Sequence, residues 1–177
     1  MKAFRKLFGQ KDDLIVDQAD ALVRVAYTTA VASFEPTLDR FAALQTAYQA
    51  SDNKTDYIEQ FDFLMTIACV FVAVERLKNA GIEETRANEA LDRIEFRLNE
   101  WNAIDSIPGF EHCQNYFTKE YEALRKVGYE PDHLVQDAVA SWIVADALGK
   151  PPEAEEERRL VRFIGAMIAR KFANWWV

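Results

Sequence analysis

Residues 63–74 read FLMTIACVFVAV, twelve positions in which Thr66 is the only polar side chain. A run that is apolar on every side has no periodicity to separate helix from strand, and Val70, Val72 and Val74 favour strand. Length decides. Tyr57, Ile58, Phe61, Leu64 and Met65 carry the apolar pattern backwards at helical spacing, and Leu77 carries it forwards. The segment 55–80 is then far longer than a strand of about 5–6 residues. Asn53 or Thr55 can cap its start through a side-chain oxygen, and Gly81 offers the left-handed backbone on which many helices end. A helix apolar all round is stable only when other elements enclose it. A bilayer span is excluded, because it takes about 20 apolar residues and Asp62 and Glu75 bracket this run.

The remaining segments supply the enclosing helices. Apolar stripes at steps of three and four predict helices over 13–34, 37–50, 83–101, 106–127, 131–148 and 153–177. Pro36 separates the first two, and Lys150-Pro151-Pro152 breaks the chain before the last. Ser106 is expected to cap its helix ahead of Pro108, with Phe110, Cys113, Phe117, Leu124 and Val127 facing inward. The segment 131–148 is almost as apolar as 55–80 and is expected to pack beside it. The expectation is an all-α, single-domain mixed or orthogonal bundle of about seven helices over residues 12–177, built around a fully apolar central helix, 55–80.

Composition agrees with one globular domain. The chain has 177 residues, half of them apolar, with twelve Phe, six Tyr and four Trp, enough to bury a core without disulfides or metal. Its net charge of −8 argues against nucleic-acid binding, which needs a basic face for phosphates. Cys69 and Cys113 fall at apolar helix positions without metal-type spacing and read as buried, reduced thiols of a cytoplasmic protein. Asp12, Asp13, Asp17 and Asp20 interrupt any secretory apolar stretch.

The charge is unevenly spread. Residues 1–11 carry Lys2, Arg5, Lys6 and Lys11 and no acid, so the segment is +4 and the remainder −12. Phe4, Leu7 and Phe8 share one side of a helical turn among these bases. Such a tail suits weak adhesion to an anionic membrane at its inner face, where each base contributes about 1 kcal/mol. At the other end, residues 158–177 hold Arg158, Arg159, Arg162, Arg170 and Lys171 without an acid and finish on Trp175-Trp176-Val177. Adjacent tryptophans on a helix point apart, so they either close the open end of the bundle or leave one ring for a partner. Trp and Arg are common anchor residues at interfaces, and Arg158, Arg159, Arg162, Trp175 and Trp176 form a candidate partner-binding set.

Catalytic constellations are thin. Glu130 and His133 have the Glu-x-x-His spacing of di-iron bundles, but those need a second such pair and two more carboxylates; no metal or cofactor is expected. His112 and Cys113 are neighbours in sequence and point apart on a helix. No Gly-rich phosphate loop, nucleophile elbow or CxxC occurs. These features favour a non-catalytic helical interaction protein, an adaptor, chaperone or inhibitor-type binder whose acidic surface attracts a basic protein. The other class is an enzyme or small-ligand carrier with an apolar interhelical pocket.

Overall fold

The computed structural model describes the backbone of residues 2–129 and 131–177, and the side chains of residues 14–129 and 133–177. The tail side chains of Lys2, Phe4, Arg5, Lys6, Leu7, Phe8 and Lys11, and Glu130 of the Glu-x-x-His pair, lie outside the described residues. Among the described residues seven helices follow in order: α1 (Lys2–Arg40), α2 (Ala42–Ala50), α3 (Lys54–Leu77), α4 (Glu84–Trp101), α5 (Ser106–Lys126), α6 (Pro131–Leu148) and α7 (Glu155–Phe172). No strand occurs among the described residues.

The apolar run lies in α3 and is the centre of the bundle. Every residue from Leu64 to Val74 is buried, and α3 packs against α1, α2, α5, α6 and α7. The helix is long and apolar enough to cross a bilayer, yet its surface is spent on protein neighbours. Asn53 is the cap: its Oδ1 accepts from the Thr55 and Asp56 amides at 3.0 and 3.3 Å. All seven helices contribute to one contiguous core, in which Phe71, 1% exposed, meets Phe117 and Phe110 at ring-centre distances of 5.0 and 5.5 Å.

α1 starts at Lys2 rather than at 13, and α3 ends at Leu77 rather than at 80; three further boundaries differ from expectation. Pro36 does not end the first helix: α1 runs through it to Arg40. Proline leaves the Ala32 carbonyl without its helical donor, and hydroxyls in the same stretch bond back to the backbone, Ser33 Oγ to the Ala30 carbonyl and Thr37 Oγ1 to the Ser33 carbonyl, each at 2.7 Å. The break comes at Phe41, whose extended backbone (φ −124°, ψ 111°) turns its ring onto Phe163 at 5.3 Å. Gln45 Nε2 then donates to the Leu38 carbonyl at 2.8 Å, satisfying part of the open end of α1.

The second difference is Ser106, which is the first residue of α5 rather than its cap, and is buried. Asn102 Oδ1 organises the turn before it by accepting from the Ile104 and Asp105 amides at 3.2 and 2.9 Å. At the far end of α5, Val127 is 79% exposed instead of inward. The third is α7, which starts at Glu155 and stops at Phe172. Its start is held by Glu157, whose carboxylate accepts from Lys150 Nζ at 2.5 Å and from the Ala154 and Glu153 amides at 2.9 and 2.8 Å. Those bonds, led by the one from Lys150, hold the Glu157 carboxyl down at about 2.

Beyond α7 the chain turns back on the bundle. Trp176 is buried and donates from Nε1 to the Ala73 carbonyl of α3 at 2.6 Å. Trp175 Nε1 donates to the Gln18 carbonyl at 3.2 Å, while Gln18 Nε2 donates to the Trp175 carbonyl at 2.9 Å. The half-buried Trp175 ring stacks on Phe172.

Candidate functional site

Two polar regions stand out on the surface, with opposite character. The first follows the amino-terminal half of α3. A cleft of about 360 Å³ between α3 and the end of α6 is lined by Asp52, Asp56, Tyr57, Gln60 and Asp146 among others. A neighbouring cleft of about 520 Å³, towards the start of α5, is lined by Asp56, Glu59, Gln60, Phe63, Asp105 and His112 among others. Asp56 and Gln60 belong to both, so the clefts form one groove. Among the described residues five carboxylates line it, and no Lys or Arg does. Lys54, on the same turn of α3, is turned away: its ammonium donates to the Gln49 carbonyl at 2.9 Å and to the Ser51 carbonyl, and lies 5.4 Å over the Tyr48 ring. His112 stands on the wall, its ring edge-on to Trp142.

The field of these acids is visible in the ionisation of their neighbours. Tyr57 donates its hydroxyl to the Ala147 carbonyl at 2.8 Å; burial, and then the charge of Asp146, push its phenol up to about 12. Asp62 is buried beside Glu59, with no partner for Oδ1. Burial, and then Glu59, push its carboxyl up to about 6. A carboxyl whose folded value exceeds its unfolded one binds its proton more tightly in the native state. Stability therefore falls as pH rises from about 4 to about 6 and stays lowered above that window. Asp62→Asn is accordingly expected to stabilise the protein at pH 7.5 by about 1–2 kcal/mol after screening by nearby water. The gain should vanish near pH 4, and urea midpoints at the two pH values measure it. An equal gain at both would show that the Asp62 charge is not the cause.

The second region is a seam where α5, α6 and α7 meet. His133, Asp137 and Ser141 stand four apart on α6 and so share a face. Asp137 is 3% exposed, and its Oδ2 accepts from the Tyr129 hydroxyl at 2.5 Å. Burial raises its pKa, while the Tyr129 bond and the charges of His133 and Arg162 oppose that rise. Ser141 Oγ reaches Glu120 Oε1 of α5 at 3.4 Å. Close approach of α7 depends on Gly165, where a Cβ would overlap Asp137 Oδ1 and stand 3.4 Å from the Gln136 carbonyl carbon. The seam opens as a cleft of about 560 Å³ lined by Val127, Tyr129, His133, Asp137, Arg162 and Ala166 among others. A smaller one of about 180 Å³, on the Ser141 side, shares Tyr129, Asp137 and Arg162 and adds Glu120 and Arg158.

Of the candidate partner-binding residues, Arg158 and Arg162 meet at this seam, where Arg162 Nη2 also pairs with Glu155 at 3.0 Å. Arg159 pairs with Glu155 at 3.4 Å. Trp175 and Trp176 are elsewhere, closing the bundle against α1 and α3. His133 approaches Gln136 Nε2 at 3.4 Å through Nδ1. Cys69 and Cys113 are free and buried, and burial pushes both thiols far above their ordinary range, so neither resembles an activated nucleophile. Asp137, Tyr129, Ser141 and Glu120 were not singled out by pattern. The available signals were an aspartate interrupting the apolar α6 and a glycine amid the apolar stretch of α7. Searches for similar proteins returned no family model, no characterised protein and no solved structure that matches this chain.

Proposed function

We propose that this protein is a helical binding protein whose acidic groove along α3 receives a basic segment of a protein partner. The observation that carries the reading is the groove itself: five carboxylates from α3, α6 and the turns before α3 and α5, with no Lys or Arg among the described lining residues. A groove of carboxylates is complementary in charge to a lysine- or arginine-rich ligand. Tyr57, Phe61 and Phe63 give the groove aromatic and apolar lining against which the stems of such side chains can lie. A body of charge −12 also steers a basic partner towards encounter.

The test is titration of a fluorescent lysine- and arginine-rich peptide. Binding should weaken steeply with salt, and Asp56→Asn with Glu59→Gln should reduce affinity about tenfold or more. Both side chains are exposed, so the double variant should keep the parent's thermal midpoint to within a few degrees. Equal affinity of parent and double variant would remove the groove from the binding surface.

A further inference from the structure

The seam at α5, α6 and α7 shares no lining residue with the acidic groove, and its chemistry is different. In a strongly acidic protein it gathers Arg158, Arg162, His133 and the Tyr129 and Ser141 hydroxyls around the buried Asp137 carboxylate, with Glu120 a second carboxylate held on the Ser141 side. Arg158 and Arg162 stand one helical turn apart on α7 and both line the smaller cleft, so their forks can converge on one oxyanion. One donor of Arg162 is engaged with Glu155, and a guanidinium carries five. Asp137 accepts from the Tyr129 hydroxyl and packs against Gly165, and so fixes the tyrosine at the cleft wall. Val127, Ala166, Leu124 and Val161 give the two clefts apolar lining, and Val127 is 79% exposed.

We propose that this seam binds a small organic carboxylate, with Arg158 and Arg162 taking the head group, Tyr129 and His133 flanking it, and Val127 and Ala166 covering a short apolar body. The arginine fork matches the planar two-oxygen geometry of a carboxylate. The size of the larger cleft, about 560 Å³, is in the range of small-molecule sites. A phosphate head group would use the same arginines, and the experiment separates the two.

The chain has two histidines, one at each region, so imidazole NMR signals report on both at once. Butanoate should shift the His133 ring signals with an apparent Kd of about 1–10 mM, as befits so small a ligand, and leave those of His112 in place. Arg162→Gln should weaken that response about tenfold or more, while Arg159→Gln, outside both clefts, should not. Far-ultraviolet circular dichroism of each variant checks that the fold is kept; if Arg162→Gln does not fold, Arg158→Gln takes its place with the same expected loss. Equal shifts at both histidines, no shift at His133, or an undiminished response in the folded arginine variant would overturn the proposal. A His133 response to inorganic phosphate at much lower concentration than to butanoate would overturn the carboxylate assignment.

Discussion

Phe71→Ala should lower the unfolding free energy by about 3–5 kcal/mol, the cost of emptying a buried aromatic site that cannot collapse around the gap. The ring is 1% exposed and lies against Phe110 and Phe117. Its helix is packed by five others, so no surrounding element can move in without leaving contacts elsewhere. Domains of this kind are stable by about 5–15 kcal/mol in total, and the variant should sit near the edge of folding. Urea denaturation followed by circular dichroism measures the shift. Phe71→Leu, which keeps most of the volume, should lose about 1.5 kcal/mol or less and stays measurable if the alanine variant does not fold. An unchanged midpoint for Phe71→Ala would mean that α3 is not the centre of the bundle.

Gly165→Ala should also destabilise, by about 1–3 kcal/mol, although alanine is ordinarily the better helix former by about 1 kcal/mol. The new methyl would overlap Asp137 Oδ1. That carboxylate cannot swing away cheaply, because Tyr129 holds its other oxygen at 2.5 Å in a site only 3% exposed. A double-mutant cycle isolates the overlap. Asp137→Ala removes the obstructing oxygen and carries its own cost from the stranded Tyr129 hydroxyl. Within that background Gly165→Ala should become neutral or stabilising. Destabilisation of the same size in both backgrounds would show that α7 rejects a side chain at 165 for another reason.

How much was legible in advance follows the physics of each signal. Hydrophobic length located α3, and punctuation by Gly, Asn and the Lys150-Pro151-Pro152 break located most loops, because those constraints are local. Pro36 misled for the same reason: its effect on its own backbone argues for a break, while the Ser33 and Thr37 hydroxyls and the packing of α1 against α3 and α4 keep the helix continuous. Ser106 looked like a cap because its type favours that role, but the turn before it is organised by Asn102. At the seam, Arg158 and Arg162 were visible as bases without nearby acids on their carboxyl side, whereas Asp137 acquires meaning only through Tyr129 and Gly165, which lie on other elements. The acidic groove was legible as a net charge but not as a place, since its carboxylates come from separated stretches between residues 52 and 146.

The tryptophans after α7 bear on how this protein is made. Gln18 and Trp175 exchange hydrogen bonds across 157 positions, and Trp176 reaches Ala73 across 103. A ribosome adds about 5–20 residues per second, so α1 and α3 wait several seconds outside the exit tunnel for the residues that seal them. During that interval the central helix has an uncovered flank. Closing contacts so distant in sequence also carries the entropy of a long loop. The bundle therefore completes itself only once residue 176 is free of the tunnel, and the nascent chain must be kept from aggregating until then.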